Sequence, residues 1–202
     1  MTGDDTPARQ SAASLEQVYG RLFATDGSSV EHPEYERKDF FLSAEMIALH
    51  GKKLVETIAA IANTGRSDGL IMCRGRIGET GAPPLEDPQR LDLLVGSAVY
   101  PSVRVTITRM TISGDLVDVI VIPRSSQRPH VMRMGEGDNR FFVPLRGSAN
   151  NVTAARHQID EMYQELTLAT LRRAFPAIRF DTDDRDAALG YAADIGYGLD
   201  AE

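Results

Sequence analysis

The stretch Glu31-His32-Pro33-Glu34-Tyr35-Glu36-Arg37-Lys38, followed a helix length later by Ala62-Asn63-Thr64-Gly65 and then by Gly69-Leu70-Ile71-Met72-Cys73, decides how this chain is read. The segment from Glu34 to Phe41 predicts a strand ending on a Phe-Phe pair. Ser43 is placed to cap a helix over Ala44 to Ala62, in which Ile47, Leu54, Ile58 and Ile61 recur at spacings of seven, four and three and so form one buried face. Gly69 to Cys73 is too short and too apolar for anything but a buried strand.

Downstream, the glycines and prolines between Gly78 and Pro84 mark a loop. Leu91, Leu94, Val95 and Ala98 then sit at helical spacing, and Tyr100-Pro101 ends that helix. From Val103 to Thr108 the period becomes two, Ser113-Gly114-Asp115 reads as a turn, and Leu116 to Ile122 returns as an apolar strand, so a hairpin is expected. Two shorter strands are predicted at His130 to Met134 and Arg140 to Leu145, around a Gly135–Asn139 turn. Pro144 makes the second an edge or terminating strand. Asn150 or Asn151 is placed to cap a last helix whose Ile159, Met162, Leu166 and Leu171 face inward. Helices interleaved with early strands and a late antiparallel meander define an α+β class: a mixed, largely antiparallel sheet flanked by helices in one domain.

Upstream, residues 1–12 are small and polar and read as a disordered tail, after which Ser14 is expected to cap a helix carrying Leu15, Val18, Leu22 and Phe23. The domain is expected over residues 13–175, with an acidic tail from 176 to 202. The chain is 202 residues long, enough for one core, and has neither an apolar run of spanning length nor a basic-then-apolar leader. It is therefore expected in the cytoplasm with no membrane partner. The single Cys73 excludes a disulfide framework or a cysteine metal cluster. Net charge is −7, yet it is unevenly spread: residues 101–157 carry eight arginines against four acids, while residues 158–202 carry four basic and ten acidic groups.

Several residue sets could carry chemistry. Glu34 and Glu36 share a strand face with Glu31 close by, and paired carboxylates can hold Mg²⁺ or Mn²⁺ for phosphodiester cleavage or form a plain polar face. In Asn63-Thr64-Gly65-Arg66-Ser67-Asp68-Gly69 the backbone amides can make an anion nest, although a helix C-terminus disfavours phosphate and Gly65 can simply end the helix. There is no Walker loop or Gly-x-Gly-x-x-Gly fingerprint, so no nucleotide cofactor is expected. Arg104, Arg109, Arg124, Arg128, Arg133, Arg140, Arg146 and Arg156 could form a shared basic face, with Phe141 or Phe142 stacking on a base. His32, His50, His130 and His157 lack zinc-ligand spacing, and no serine sits in a nucleophile elbow.

The order of these segments resembles the Schlafen-type Alba-like (AlbA_2) domain, a DNA-binding family found in many bacterial proteins. The likeness runs from about Glu31 to Leu166. Glu36 and Lys38 stand at the family's Glu-Phe-Lys strand, and Ala62-Asn63-Thr64-Gly65 with Gly69 at its Ala-Asn-Thr-x-Gly-Gly turn. Tyr100-Pro101 matches its Ile-x-Pro step, Val119 to Ser125 with Pro129 its apolar strand, and Arg146-Gly147-Ser148 its closing Arg-x-Gly-Ser. The resemblance implies a mixed sheet with helices, a nucleic-acid-facing surface and association through a partner or a second copy. In nucleases of this family three carboxylates form the cutting site. Glu31 and Glu36 match the first two; Arg74 and Arg76 stand near the third, and the next acid is Glu79.

The expected function is therefore a non-catalytic DNA- or RNA-binding adaptor or subunit, with Lys38, Arg66, Arg74, Arg76 and Arg146 on phosphate. One alternative is a nuclease using Glu31, Glu36 and a divalent metal. The other is a protein-interaction module whose acidic tail docks a basic partner.

Overall fold

The computed structural model describes residues 12–24, 32–75, 82–85, 87–133, 141–147 and 150–174. The chain divides into two units, residues 1–154 and 155–202. In the first, α1 (Ala12–Leu22) leads to β1 (Tyr35–Lys38), α2 (Ala44–Thr64), β2 (Gly69–Cys73), α3 (Pro88–Ala98) and β3 (Val99–Tyr100). The hairpin β4 (Thr106–Ile112) and β5 (Asp115–Ile122) follows, then β6 (Val131–Arg133), β7 (Phe141–Phe142), β8 (Pro144–Arg146) and β9 (Asn151–Thr153). The fold is α+β with mixed, mostly antiparallel pairing.

The main sheet has the order β1-β2-β5-β4, with β1 parallel to β2 and the other neighbours antiparallel. Every residue of β2 is buried, because its alternate side chains enter two different cores. Ile71 and Cys73 pack under α2 and α3 with Leu54, Ile58 and Ile120, while Leu70 and Met72 pack under α1 with Val18, Leu22 and Val119. A strand covered on both faces loses its polar alternation, which is why Gly69 to Cys73 reads as a continuous apolar run. A β-carbon on Gly69 would lie 2.2 Å from Ile61 Cγ2, so glycine here permits helix α2 to sit on the strand.

Ser43 caps α2 as expected, its hydroxyl accepting from the Met46 amide at 3.3 Å. The predicted strand over Glu34 to Phe41 is shorter. Beyond Lys38 the chain bends, and the Leu42 amide donates to the Asp118 carboxylate at 2.7 Å instead of to a neighbouring strand. In the hairpin Ser113 (φ 52°) and Gly114 (φ 88°) form the two-residue turn between the paired Ile112 and Asp115. The first hairpin strand begins at Thr106 rather than Val103, the Val105 amide turning to Asp92 Oδ1 at 3.4 Å.

Three other expectations are corrected. Helix α1 starts at Ala12, which places Ser14 inside it rather than at its cap. The predicted Arg140 to Leu145 strand divides at Val143, whose carbonyl accepts from the Ala154 amide at 2.8 Å. Phe141-Phe142 then extends a β3-β6-β7 ladder, and Pro144 begins a separate β8-β9 ribbon. Asn151 lies in β9 and caps nothing; the last helix, α4 (Arg156–Ala174), belongs to the second unit and begins where Gln158 Oε1 accepts from the Ala155 amide at 2.9 Å. The expected tails, 1–12 for the most part and 176–202 entirely, and the Gly135–Asn139 turn lie outside the described residues.

Candidate functional site

On β1 the two-residue alternation sends Tyr35 and Arg37 toward α1 and Glu36 and Lys38 toward the opposite side. Lys38 Nζ reaches Glu36 Oε1 at 2.7 Å, and Arg146 Nη2 from β8 donates to Glu36 Oε2. All three side chains are largely withdrawn from solvent. The network continues from Arg146 Nη1 to Asn151 Oδ1 (3.2 Å), from Asn151 Nδ2 to Glu56 Oε1 (3.0 Å), and from Glu56 to Lys53 (3.6 Å). Glu36 is thus clamped between two cations, so a divalent ion could reach it only by breaking an ion pair. Glu31, Glu79 and Arg76 lie outside the described residues, and among the described residues no group of three or more acidic, histidine or cysteine side chains is placed to hold a metal.

The Ala-Asn-Thr-Gly segment acts as a cross-link. Asn63 is buried, its Nδ2 donating to the carbonyls of His130 and Pro144 (both 2.9 Å) and its Oδ1 accepting from the His130 amide (2.7 Å). Thr64 Oγ1 accepts from the Arg146 amide at 2.8 Å. The following turn does form an amide cradle, but Glu34 fills it: Oε1 accepts from the Arg66 and Ser67 amides at 2.9 and 3.1 Å. Burial alone would raise the Glu34 pKa, and the Ser67 hydroxyl with these two amides outweighs it, holding the carboxyl below its ordinary value. Gly65 ends the helix at φ −65°, and its role is close packing, since a β-carbon would sit 3.0 Å from the Ile61 carbonyl.

Arg74 lies on the other side of the sheet. Its Nη1 donates to Tyr19 Oη (2.6 Å) and Asp115 Oδ2 (2.8 Å), and its guanidinium stands 4.4 Å from the Phe23 ring centroid. It therefore ties α1 to the sheet. Arg109 is also committed: Nε and Nη2 form a fork with Asp118 at 2.5 and 2.9 Å, and Nη1 donates to the Pro83 carbonyl. Asp118 is wholly buried in β5. Of the expected phosphate contacts, the structure brings Lys38 and Arg146 together on Glu36, turns Arg74 onto α1, and leaves Arg66 exposed. Of the arginines expected to share one basic face, Arg109 and Arg146 are each held by a buried or half-buried carboxylate, Arg140 lies outside the described residues, and Arg156 belongs to the second unit. Arg124 stays near Arg66, its amide donating to Asp68 Oδ1 at 2.8 Å, while Arg128 Nη1 donates to the Asn63 carbonyl at the end of α2 (3.0 Å).

A different surface stands open. In the β3-β6-β7 ladder Val99, Met132 and Phe142 are aligned and face the core, so Tyr100, Val131, Arg133 and Phe141 form the outer face. Tyr100 is 80% exposed and Phe141 66%. They flank β6 on opposite sides, offset by two residues, which by strand geometry separates their Cα atoms by about 12 Å. The signal was present in Phe141-Phe142, since adjacent strand residues must point to opposite faces, but the sequence did not tell which was outermost. Tyr100 was hidden by its position at a predicted helix end.

His130 is buried, its Nδ1 2.7 Å from the Pro101 carbonyl, and Nε2 has no hydrogen-bond partner among the described residues. Burial lowers its pKa against the Pro101 bond, and the Arg128 charge adds to the lowering. The unfolded chain therefore takes the proton first as pH falls. Stability from this group is complete above about pH 6.5 and is lost as pH drops toward the lower folded-state value, with a slope approaching about 1.4 kcal/mol per pH unit. Urea midpoints between pH 7.5 and pH 5 should fall in the native chain and flatten in His130→Gln. Glu34 contributes in the same direction only below about pH 4.3, so the two effects separate. Burial, with Asp118 adding, pushes the Cys73 thiol pKa up, as suits an inert core residue.

No family model matches the chain, and no curated protein matches it. Among solved structures it is similar to the crystal structure of the DIP2311 protein from Corynebacterium diphtheriae, with 14% identity and a TM-score of 0.46. The match covers 86% of this chain and 42% of that one, so the chain spans less than half of that protein's length. Among the described residues no helix is long and apolar enough to cross a membrane.

Proposed function

We propose that this protein is a non-catalytic nucleic-acid-binding adaptor that engages single strands on the outer face of the β3-β6-β7 ladder. The observation that carries the reading is the pair of exposed rings, Tyr100 and Phe141, with Arg133 opposite Phe141 on the same face. Aromatic side chains on an open sheet stack bases without regard to sequence, and an arginine beside them supplies phosphate attraction. Exposed Arg66 and Arg124 are further candidates for backbone contact. Glu36, held on both oxygens by Lys38 and Arg146, supports binding without cleavage. The resemblance to Schlafen-type Alba-like domains agrees with this reading.

The test is fluorescence polarisation with labelled single- and double-stranded RNA and DNA at low and physiological salt. Single strands should bind more tightly, with affinity falling as salt rises. Tyr100→Ala and Phe141→Ala should each weaken binding about tenfold, since a stacked base contributes about 1–3 kcal/mol. Both residues are exposed, so the variants should keep the native melting temperature. Absence of binding at low salt, unchanged affinity in both variants, or Mn²⁺-dependent cleavage abolished by Glu36→Gln would overturn the proposal.

A further inference from the structure

His130 is a buried titratable group that the proposed ring face does not use, and it lies at the root of that face: β6 begins at the next residue, where Val131 pairs with Tyr100. A carbonyl can only accept, so the 2.7 Å contact with the Pro101 carbonyl puts the ring proton on Nδ1 and leaves Nε2 as a bare lone pair. Nε2 is buried and has no hydrogen-bond partner among the described residues, so a proton arriving there meets no acceptor. The surroundings do not offset its charge either. α2 faces His130 with the Asn63 amide and the chain after β3 with the Pro101 carbonyl, both uncharged. β8 approaches through Pro144, and its Arg146 is bound to Glu36. The charge that acts on the ring is that of Arg128, two residues earlier, which repels a proton. An imidazolium here gains stabilisation only by reaching water.

The least costly route to water is local. Asn63 holds the amide and carbonyl of His130, so the backbone stays while the ring turns. The ring's partner belongs to a thin surface segment: Tyr100 and Ser102 are exposed and Pro101 half-buried, between the buried anchors Val99 and Val103. That segment is joined to β6 by two residue pairs, against five for β2 with β5 and seven for β4 with β5. Lifting residues 100–102 therefore exposes little apolar surface and leaves the main sheet paired. We propose that His130 is an acid switch for the ring face: taking a proton from solvent at Nε2, the ring turns outward, abandons the Pro101 carbonyl and lets Tyr100 move out of line with Phe141, which releases a bound single strand. The release step rests on the reading of that face as the nucleic-acid site; the opening step does not.

Two measurements on the full chain separate the steps. Amide hydrogen exchange between pH 7.5 and pH 5, corrected for the intrinsic effect of pH, should show residues 99–103 losing protection while the β4-β5 hairpin keeps its own. Fluorescence polarisation over the same range should show single-strand affinity falling at least about threefold, since only the closed fraction binds. Ordinary electrostatics acts in the opposite direction, because a chain gaining protons attracts phosphate more strongly. His130→Gln keeps a donor for Pro101 but does not titrate, so both responses should vanish while affinity at pH 7.5 is unchanged. NMR of the native chain with 15N-labelled histidine needs no variant: His130 should show the Nδ1–H tautomer at pH 7.5 and titrate in step with the loss of protection. Absence of single-strand binding at pH 7.5 is failure of the proposed function and removes the release step, whereas exchange and NMR still decide the opening step. An Nε2–H tautomer, protection at residues 99–103 that persists to pH 5 or disappears together with that of the hairpin, or a pH response retained in His130→Gln would overturn the inference.

Discussion

Asp118→Ala is expected to destabilise the chain by about 3–5 kcal/mol, measured by urea unfolding. Asp118 is fully buried and accepts from both arms of Arg109 and from the Leu42 amide. Its removal strands a partly buried guanidinium and a buried amide together. In the native chain the Asp118 hydrogen bonds raise the Arg109 pKa against the opposing effect of burial; with Asp118 gone that support is lost, yet an arginine is too basic to escape the loss by giving up its proton. The paired substitution Arg109→Leu with Asp118→Leu should recover most of the stability, because burying an ion pair gains little over well-packed hydrophobic residues while breaking one costs a great deal. A single-variant loss below about 1 kcal/mol would mean that the fork is not a structural support.

The second large effect is expected at Asn63. Asn63→Ala leaves the His130 amide, the His130 carbonyl and the Pro144 carbonyl without their partner in the interior. At about 1–3 kcal/mol for each unsatisfied buried group, with some relaxation, the loss should reach about 3–4 kcal/mol. Asn63→Asp should be worse, because it replaces the two donated bonds with a buried acid facing two carbonyls. Thr64→Ala, which removes only the acceptor for the Arg146 amide, should cost about 1 kcal/mol. Thermal or urea denaturation of the three variants checks the order, and equal losses at Asn63 and Thr64 would contradict it.

The parts of the fold legible in the sequence were those with strong local signals. β2 was read to its residues because both its faces are buried, α2 because Ser43 and the Ile47, Leu54, Ile58, Ile61 face agree, and the hairpin because Ser113-Gly114 dictates a tight turn. What stayed hidden depends on partners distant in the chain. Asp118 reads as a blemish in an apolar strand until hairpin register sets it opposite Arg109. Asn151 looks like a helix cap because asparagine favours that place, yet its side chain is taken by Arg146, Glu56 and Thr57. The candidate site divided in the same way. Composition pointed to arginine, but whether an arginine meets solvent or a carboxylate is decided by residues up to 110 positions away, as with Arg146 and Glu36.

The carboxylate in the Arg66-Ser67 turn gives this end of the molecule a built-in competitor. Glu34 is tethered to the adjoining strand, so its effective concentration at those amides is millimolar or higher, with no diffusion step to return after an excursion. A phosphate arriving from solution would have to displace this tethered anion, and would then face it across a short distance. The turn therefore behaves as an occupied receptor. A Glu34→Gln chain, with the resident charge removed, is where an anion-binding capacity latent in this loop would be uncovered.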